Sequence, residues 1–275
     1  MTVTLTLPTL NYRRRIAALV WLRRVVMAGL GVALVFLVRQ PSFWLLAILV
    51  LGLLLRAAGM AWEQSLRRQF IRDAEFPRFL RGKLLAAHPE LKPRDVDLVL
   101  RGLRQFFMAH LRSKRQFVAM PSKVVDTAWH EFILHTQGYQ RWCQAAFGGL
   151  LHHTPAEVLG RDPKRNDGLR RTWFWACKEE SIDPRHPSRL PLLFALDGKF
   201  GIPGGFRYQP DCRDINRQSG SGSYCGTSFS DAGGDAGAAG DAQGLGGSDA
   251  SAGDASSSDA SDGSGCGGGC GGGGD

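Results

Sequence analysis

Apolar residues are distributed along this chain in three ways. They first run almost without interruption: Val25–Val38 is uncharged, and after Arg39-Gln40-Pro41 a second run, Ser42–Leu55, continues past Arg56 to Trp62. From there to about residue 200 they recur at helical spacing among charged positions. Beyond Arg217 large apolar side chains almost disappear.

The first pattern predicts a pair of membrane helices. Val25–Val38 makes about 21 Å of helix, short of a hydrocarbon core of ~30 Å. A span therefore needs Arg23 and Arg24 to snorkel to the headgroups, with Trp21 in the interface. Pro41 interrupts the pattern, because it cannot continue a helix without losing a hydrogen bond. Trp44 and Trp62 lie about 27 Å apart along a helix and mark two interfaces. The expectation is a short segment, 1–19, then a transmembrane hairpin over 20–62 with helices at 20–38 and 42–62. Gly29 and Ala33, four apart, predict a close helix contact. Arg13, Arg14, Arg15, Arg23 and Arg24 precede the first span and Arg56, Arg67, Arg68 and Arg72 follow the second, whereas the loop carries only Arg39. The positive-inside rule then gives a multi-pass protein of a cell inner membrane, both termini cytoplasmic.

The second pattern predicts an all-α cytosolic domain over 63–210. Leu66, Phe70, Ile71, Phe76, Phe79, Leu80 and Leu84 suit an amphipathic helix from Trp62 to Ala87. Pro93 suits the first turn of a helix over 93–113, with Val96, Leu100, Leu103, Phe107 and Leu111 on one side. Ser122 reads as an N-cap, followed by an apolar stripe of Val125, Trp129 and Phe132. Thr136-Gln137-Gly138 weakens that helix, and Tyr139, Trp142, Cys143 and Phe147 form a second stripe ended by Gly148-Gly149. Thr154-Pro155-Ala156-Glu157 reads as a capping box. Residues 161–168 read as a polar loop, Leu169–Glu180 as a helix, Leu190–Leu196 as a short apolar helix and 201–205 as a loop. No stretch alternates as a strand does.

Charge sharpens the third pattern. The net charge of +9 divides into about +17 for residues 1–217 and −8 beyond, where eight Asp stand without Lys or Arg. Gly, Ser, Ala and Asp cannot bury enough surface to offset chain entropy, so 211–275 is expected to be a disordered acidic tail. The basic charge flanks apolar segments and reports membrane orientation, so nucleic acid is not an expected partner. The six cysteines form no compact secreted framework, and the four at 212, 225, 266 and 270 are poorly spaced for a metal.

Candidate chemistry concentrates between Met120 and Pro155, which holds four of the seven histidines. His130 and Glu131 suggest the zinc-protease pattern, but that needs a second His four residues on. His135 is five on, about 140° round the helix, and cannot share an ion with His130. Asp126 and His130, four apart, share a face. A helical hairpin could return His152-His153 towards them, with Cys143 on the second helix. Asp126, His130, Cys143 and His153 are thus candidate ligands for a transition metal such as zinc, with Glu131 a possible base. The alternative is that Asp126 and His130 are an ordinary helical pair and Cys143 an inert core thiol. No phosphate loop or serine-hydrolase elbow is present.

The V-D-x-x-W-H run of Val125, Asp126, Trp129 and His130, with Tyr139, Cys143 and Leu151-His152-His153, resembles the glycine-rich domain-containing protein family over about residues 75–210. That resemblance implies a helical domain of unassigned molecular function, associated in plants with development and stress responses. Some members carry RNA-binding segments, but no such segment is visible in this sequence. Plant members carry W-H-x-H; here Phe132 stands in place of the second histidine. Asp126, His130 and His153 are the matching polar positions. The expected function is a membrane-anchored binding or scaffolding module with a protein partner. A metal-dependent enzyme is the alternative, and histidines that only stabilise the fold are a third possibility.

Overall fold

The computed structural model describes residues 7–40, 42–153, 163–210 and 223–229. Among them are eight α-helices: α1 (Leu7–Arg39), α2 (Phe43–Asp73), α3 (Phe79–Ala87), α4 (Val96–Arg112), α5 (Lys123–Leu134), α6 (Thr136–Ala146), α7 (Pro163–Glu179) and α8 (Leu192–Phe200). Two short strands, β1 (Arg207–Gln209) and β2 (Ser223–Cys225), pair in parallel, and a 3-10 turn covers Thr227–Phe229.

α1 and α2 pack as an antiparallel hairpin. Its register follows from three contacts: the Tyr12 hydroxyl donates to Asp73 (2.9 Å), Arg23 pairs with Glu63 (3.0 Å), and Leu30 packs on Gly52. On α1, Arg23, Val26, Leu30, Ala33 and Leu37 are half-buried between exposed neighbours, the three-then-four spacing of a packed helix seam. A Cβ on Gly52 would stand 2.5 Å from Leu30 Cδ2, whereas Gly29 faces open space. Of the pair expected to make the close contact, Ala33 lies on the seam, whereas Gly29 does not and Gly52 supplies the close approach instead. Both helices are long and apolar enough to cross a membrane, and no residue of their apolar windows is buried.

α2 does not stop at Trp62. It continues to Asp73 and buries Glu63, Leu66, Arg67, Phe70 and Ile71 against the rest of the chain. The single helix expected over 62–87 is split, because Pro77 disfavours helix at the preceding residue. The freed Ala74 carbonyl accepts from Arg104 at 2.7 Å.

α4 is the central helix, with Val96, Val99, Leu103, Phe106 and Phe107 fully buried. Its Phe107 forms an aromatic core with Phe76, Phe132, Trp142 and Phe147 around it, the Phe107 and Trp142 centroids 4.6 Å apart. Offset and edge contacts of this kind add to the burial of the rings themselves. Other boundaries also move. Residues 163–168, expected as loop, begin α7, and α8 runs past Asp197 to the left-handed cap Gly201 (φ 63°). The Thr154–Glu157 capping box lies outside the described residues.

The largest departure is at the C-terminal end. Disorder is expected from residue 211, yet β2 pairs with β1 across that boundary and Phe229 is only 3 % exposed. Its ring packs on Trp173, Phe194 and Tyr208, at 5.7, 5.9 and 6.1 Å. One aromatic ring on a waiting hydrophobic surface offsets ordering entropy that Gly and Ser cannot. Cys225 is disulfide-bonded and so is not a free metal ligand.

Candidate metal centre

The site begins with the placement of α5. Ser122 is its N-cap, its hydroxyl accepting from the Val125 N–H at 3.4 Å. The stronger cap comes from α8. The buried Asp197 carboxylate accepts from Ser122 Oγ (2.7 Å), the backbone N–H groups of Lys123 (2.7 Å) and Val124 (3.1 Å), and the Phe206 N–H (3.0 Å). A carboxylate suits the positive end of a helix and satisfies donors the helix leaves open. Asp197 is a functional residue without a local motif; its one signal in the sequence is an acidic residue directly after an apolar run.

α5 breaks at His135, which ends it and starts α6. The His135 ring lies over Gly138 and edge-on to Phe79 (5.2 Å), on a different side from His130. The chain after α6 then folds back over α5. Trp129 Nε1–H donates to the Tyr139 hydroxyl (3.0 Å), which donates to the Leu151 carbonyl (2.5 Å). Burial raises the Tyr139 pKa, so the phenol remains a donor. This chain of bonds fixes residues 151–153, and the His153 ring meets Trp129 edge-on at 4.6 Å.

Asp126, His130 and His153 are thereby brought together, with one potential ligand atom from each inside a span of 4.8 Å. Asp126 Oδ1 is 3.3 Å from His153 Nε2, and Oδ2 is 3.3 Å from His130 Nδ1. The two rings are 4.2 Å apart. His130 Nδ1 is also 2.9 Å from the Asp126 carbonyl oxygen. Donation from Nδ1–H to that carbonyl leaves Nε2 with the lone pair, the tautomer arrangement usual for metal-binding histidines. The His130 side chain is 51 % exposed and that of His153 16 %, so the cluster opens to solvent on one side.

The remaining candidates lie elsewhere. Cys143 is fully buried, and burial pushes its thiol up to about 11 against the opposing pull of the Leu151 backbone and the Tyr139 hydroxyl. It stands behind the site, beside the Tyr139 link, and is not among the clustered ligands. His152 is exposed. Glu131, the possible base, pairs with Lys83 (3.7 Å) and is not among the clustered residues.

A family model described as UCP032817-like matches residues 66–229. The matched span begins in the buried end of α2 and ends at Phe229, the same stretch that the packing joins into one core. No curated protein and no solved structure matches the chain. The comparisons give no support to the glycine-rich domain family name, although the residues carrying that resemblance are those that build the site.

Proposed function

We infer that this chain, which belongs to the UCP032817-like family, is a membrane-anchored helical module that binds a divalent transition metal. Asp126, His130 and His153 are its protein ligands. The observation that carries this reading is the convergence of the three side chains, with one potential ligand atom from each within 4.8 Å of the others. Two atoms each ~2.1 Å from zinc at a tetrahedral angle are about 3.4 Å apart, close to the 3.3 Å between Asp126 Oδ1 and His153 Nε2. The donor set of two imidazoles and one carboxylate suits zinc, and also iron or manganese.

The exposed apolar faces of α1 and α2 support an anchor. The arginine distribution favours an inner-membrane protein with both ends cytoplasmic. The bound metal would serve docking of a protein partner to the open side of the cluster. A second reading, metal-dependent catalysis, is favoured by one feature: three protein ligands leave a coordination position for water or substrate.

The test is elemental analysis of the full chain in detergent, purified without a metal-affinity tag, beside Asp126→Asn, His153→Ala and Cys143→Ala. One transition metal per chain is expected, lost in the first two variants and retained in the third. A metal-free, folded protein that takes up no zinc on titration overturns the reading. A zinc-loaded chain that hydrolyses model esters or phosphoesters, with activity lost in His130→Ala, moves the assignment to the enzyme.

A further inference from the structure

A groove of about 490 Å³ lies between the end of α2, α4, α7 and α8. Met108, Leu98 and Leu192 contribute apolar surface, and Arg72, Arg101, Arg104, Arg189 and Lys199 contribute five cations. Among the described residues two carboxylates, Glu179 and Glu180, line it, and both are engaged. Glu179 holds Arg72 (2.9 Å) and Arg112 (2.7 Å); Glu180 holds Arg189 and accepts from the Leu192 N–H and Gln105. Among the described residues Arg101 and Lys199 form no ion pair, and both are exposed. Arg104 has its pKa lowered by burial and then by the charge of Arg101. The groove thus concentrates positive charge beyond what its own carboxylates balance.

We propose that residues 230–275 of this same chain dock in that groove, their aspartates pairing with Arg101, Arg104 and Lys199. The segment carries eight Asp (231, 235, 241, 249, 254, 259, 262 and 275) and no Lys, Arg or Glu. It leaves the domain at Phe229, whose ring packs on Trp173 of α7 and Phe194 of α8. Those two helices also wall the groove. Its 46 residues extend to at most ~150 Å, against a diameter of ~40 Å for a domain of the matched length. Tethering makes the encounter intramolecular, so weak individual ion pairs act at high effective concentration. Exposed pairs are screened by salt, so occupancy falls as ionic strength rises. While the segment is docked, an outside acidic partner must displace it.

The test is zero-length carbodiimide coupling on the full chain in detergent, which joins an Asp carboxylate to a lysine amine and releases a urea. Mixed isotope-labelled and unlabelled protein separates links within one chain from links between copies. The expected result is an intrachain amide between the Asp-rich segment and Lys199. Its yield should fall at least ~5-fold between 0.05 and 0.5 M salt, and similarly in Arg101→Glu, an exposed substitution that leaves the thermal transition unchanged. Coupling to Lys83 or Lys92 as often as to Lys199 overturns the proposal, as does coupling only between copies. So does a yield indifferent to salt. None of these outcomes depends on the metal cluster.

Discussion

Asp126 and His153 stand 27 positions apart in the chain, yet His153 Nε2 lies 3.3 Å from Asp126 Oδ1. What closes that distance is the Trp129–Tyr139–Leu151 chain of hydrogen bonds behind it. Tyr139→Phe removes both bonds and leaves a buried indole N–H and a carbonyl without that partner. A stability loss of about 1–3 kcal/mol is expected, together with metal affinity lowered at least ~10-fold, as for lost outer-shell support. Chelator competition and thermal melts read the two effects. An unchanged affinity in a destabilised variant shows that Tyr139 only supports the fold.

Asp197 caps α5 from a different helix, and it is 2 % exposed. Asp197→Asn keeps the shape but turns an amide N–H₂ towards backbone donors. About 3 kcal/mol or more should be lost, since the hydrogen bonds removed are buried and charge-assisted. Denaturant unfolding measures this. Because Asp197 sets where α5 begins, its loss should also weaken metal binding.

His110 is buried, with Nδ1–H donating to the Gln116 carbonyl (3.1 Å) and its ring edge-on to Phe147. Burial lowers its pKa to about 4, with the Arg115 charge adding to the shift and the Gln116 bond opposing it. In the unfolded chain it titrates near the usual ~6.5. Below that value the unfolded state binds the extra proton, so stability falls as pH drops from ~6.5 towards 4, by up to about 3 kcal/mol. Above pH 6.5 the group contributes no slope. His110→Asn, which keeps a donor near the Nδ1 position, should flatten the difference in unfolding free energy between pH 7 and pH 4.5. Parallel pH curves for the two proteins count against it.

Phe229 sits in a segment expected to be disordered. Phe229→Ala should cost about 3–5 kcal/mol, the usual loss for a buried aromatic ring. Under reducing conditions the Cys225 disulfide opens, and Phe229 packing with the β1–β2 pairing then holds the segment. Reductant should therefore lower the melting temperature of the parent protein less than Phe229→Ala does.

Local periodicity and composition were enough to read the helical class, the two long apolar helices, the Ser122 cap and the Asp126–His130 pair, because each depends on neighbours within a turn or two. The return of His153 was readable only as something a hairpin could do; Tyr139 and Trp129 decide it by satisfying buried polar groups across 10 to 12 residues. Packing decided the rest. Gly52 rather than Gly29 meets its partner helix, since facing depends on how two helices register. Cys143 falls behind the site rather than in it, since one apolar stripe cannot say which neighbour fills the space. Asp197 serves α5 from about 74 residues away, and Phe229 completes an aromatic cluster from a Gly-rich stretch. Those roles arise where distant segments meet, and no local pattern in the chain encodes that meeting.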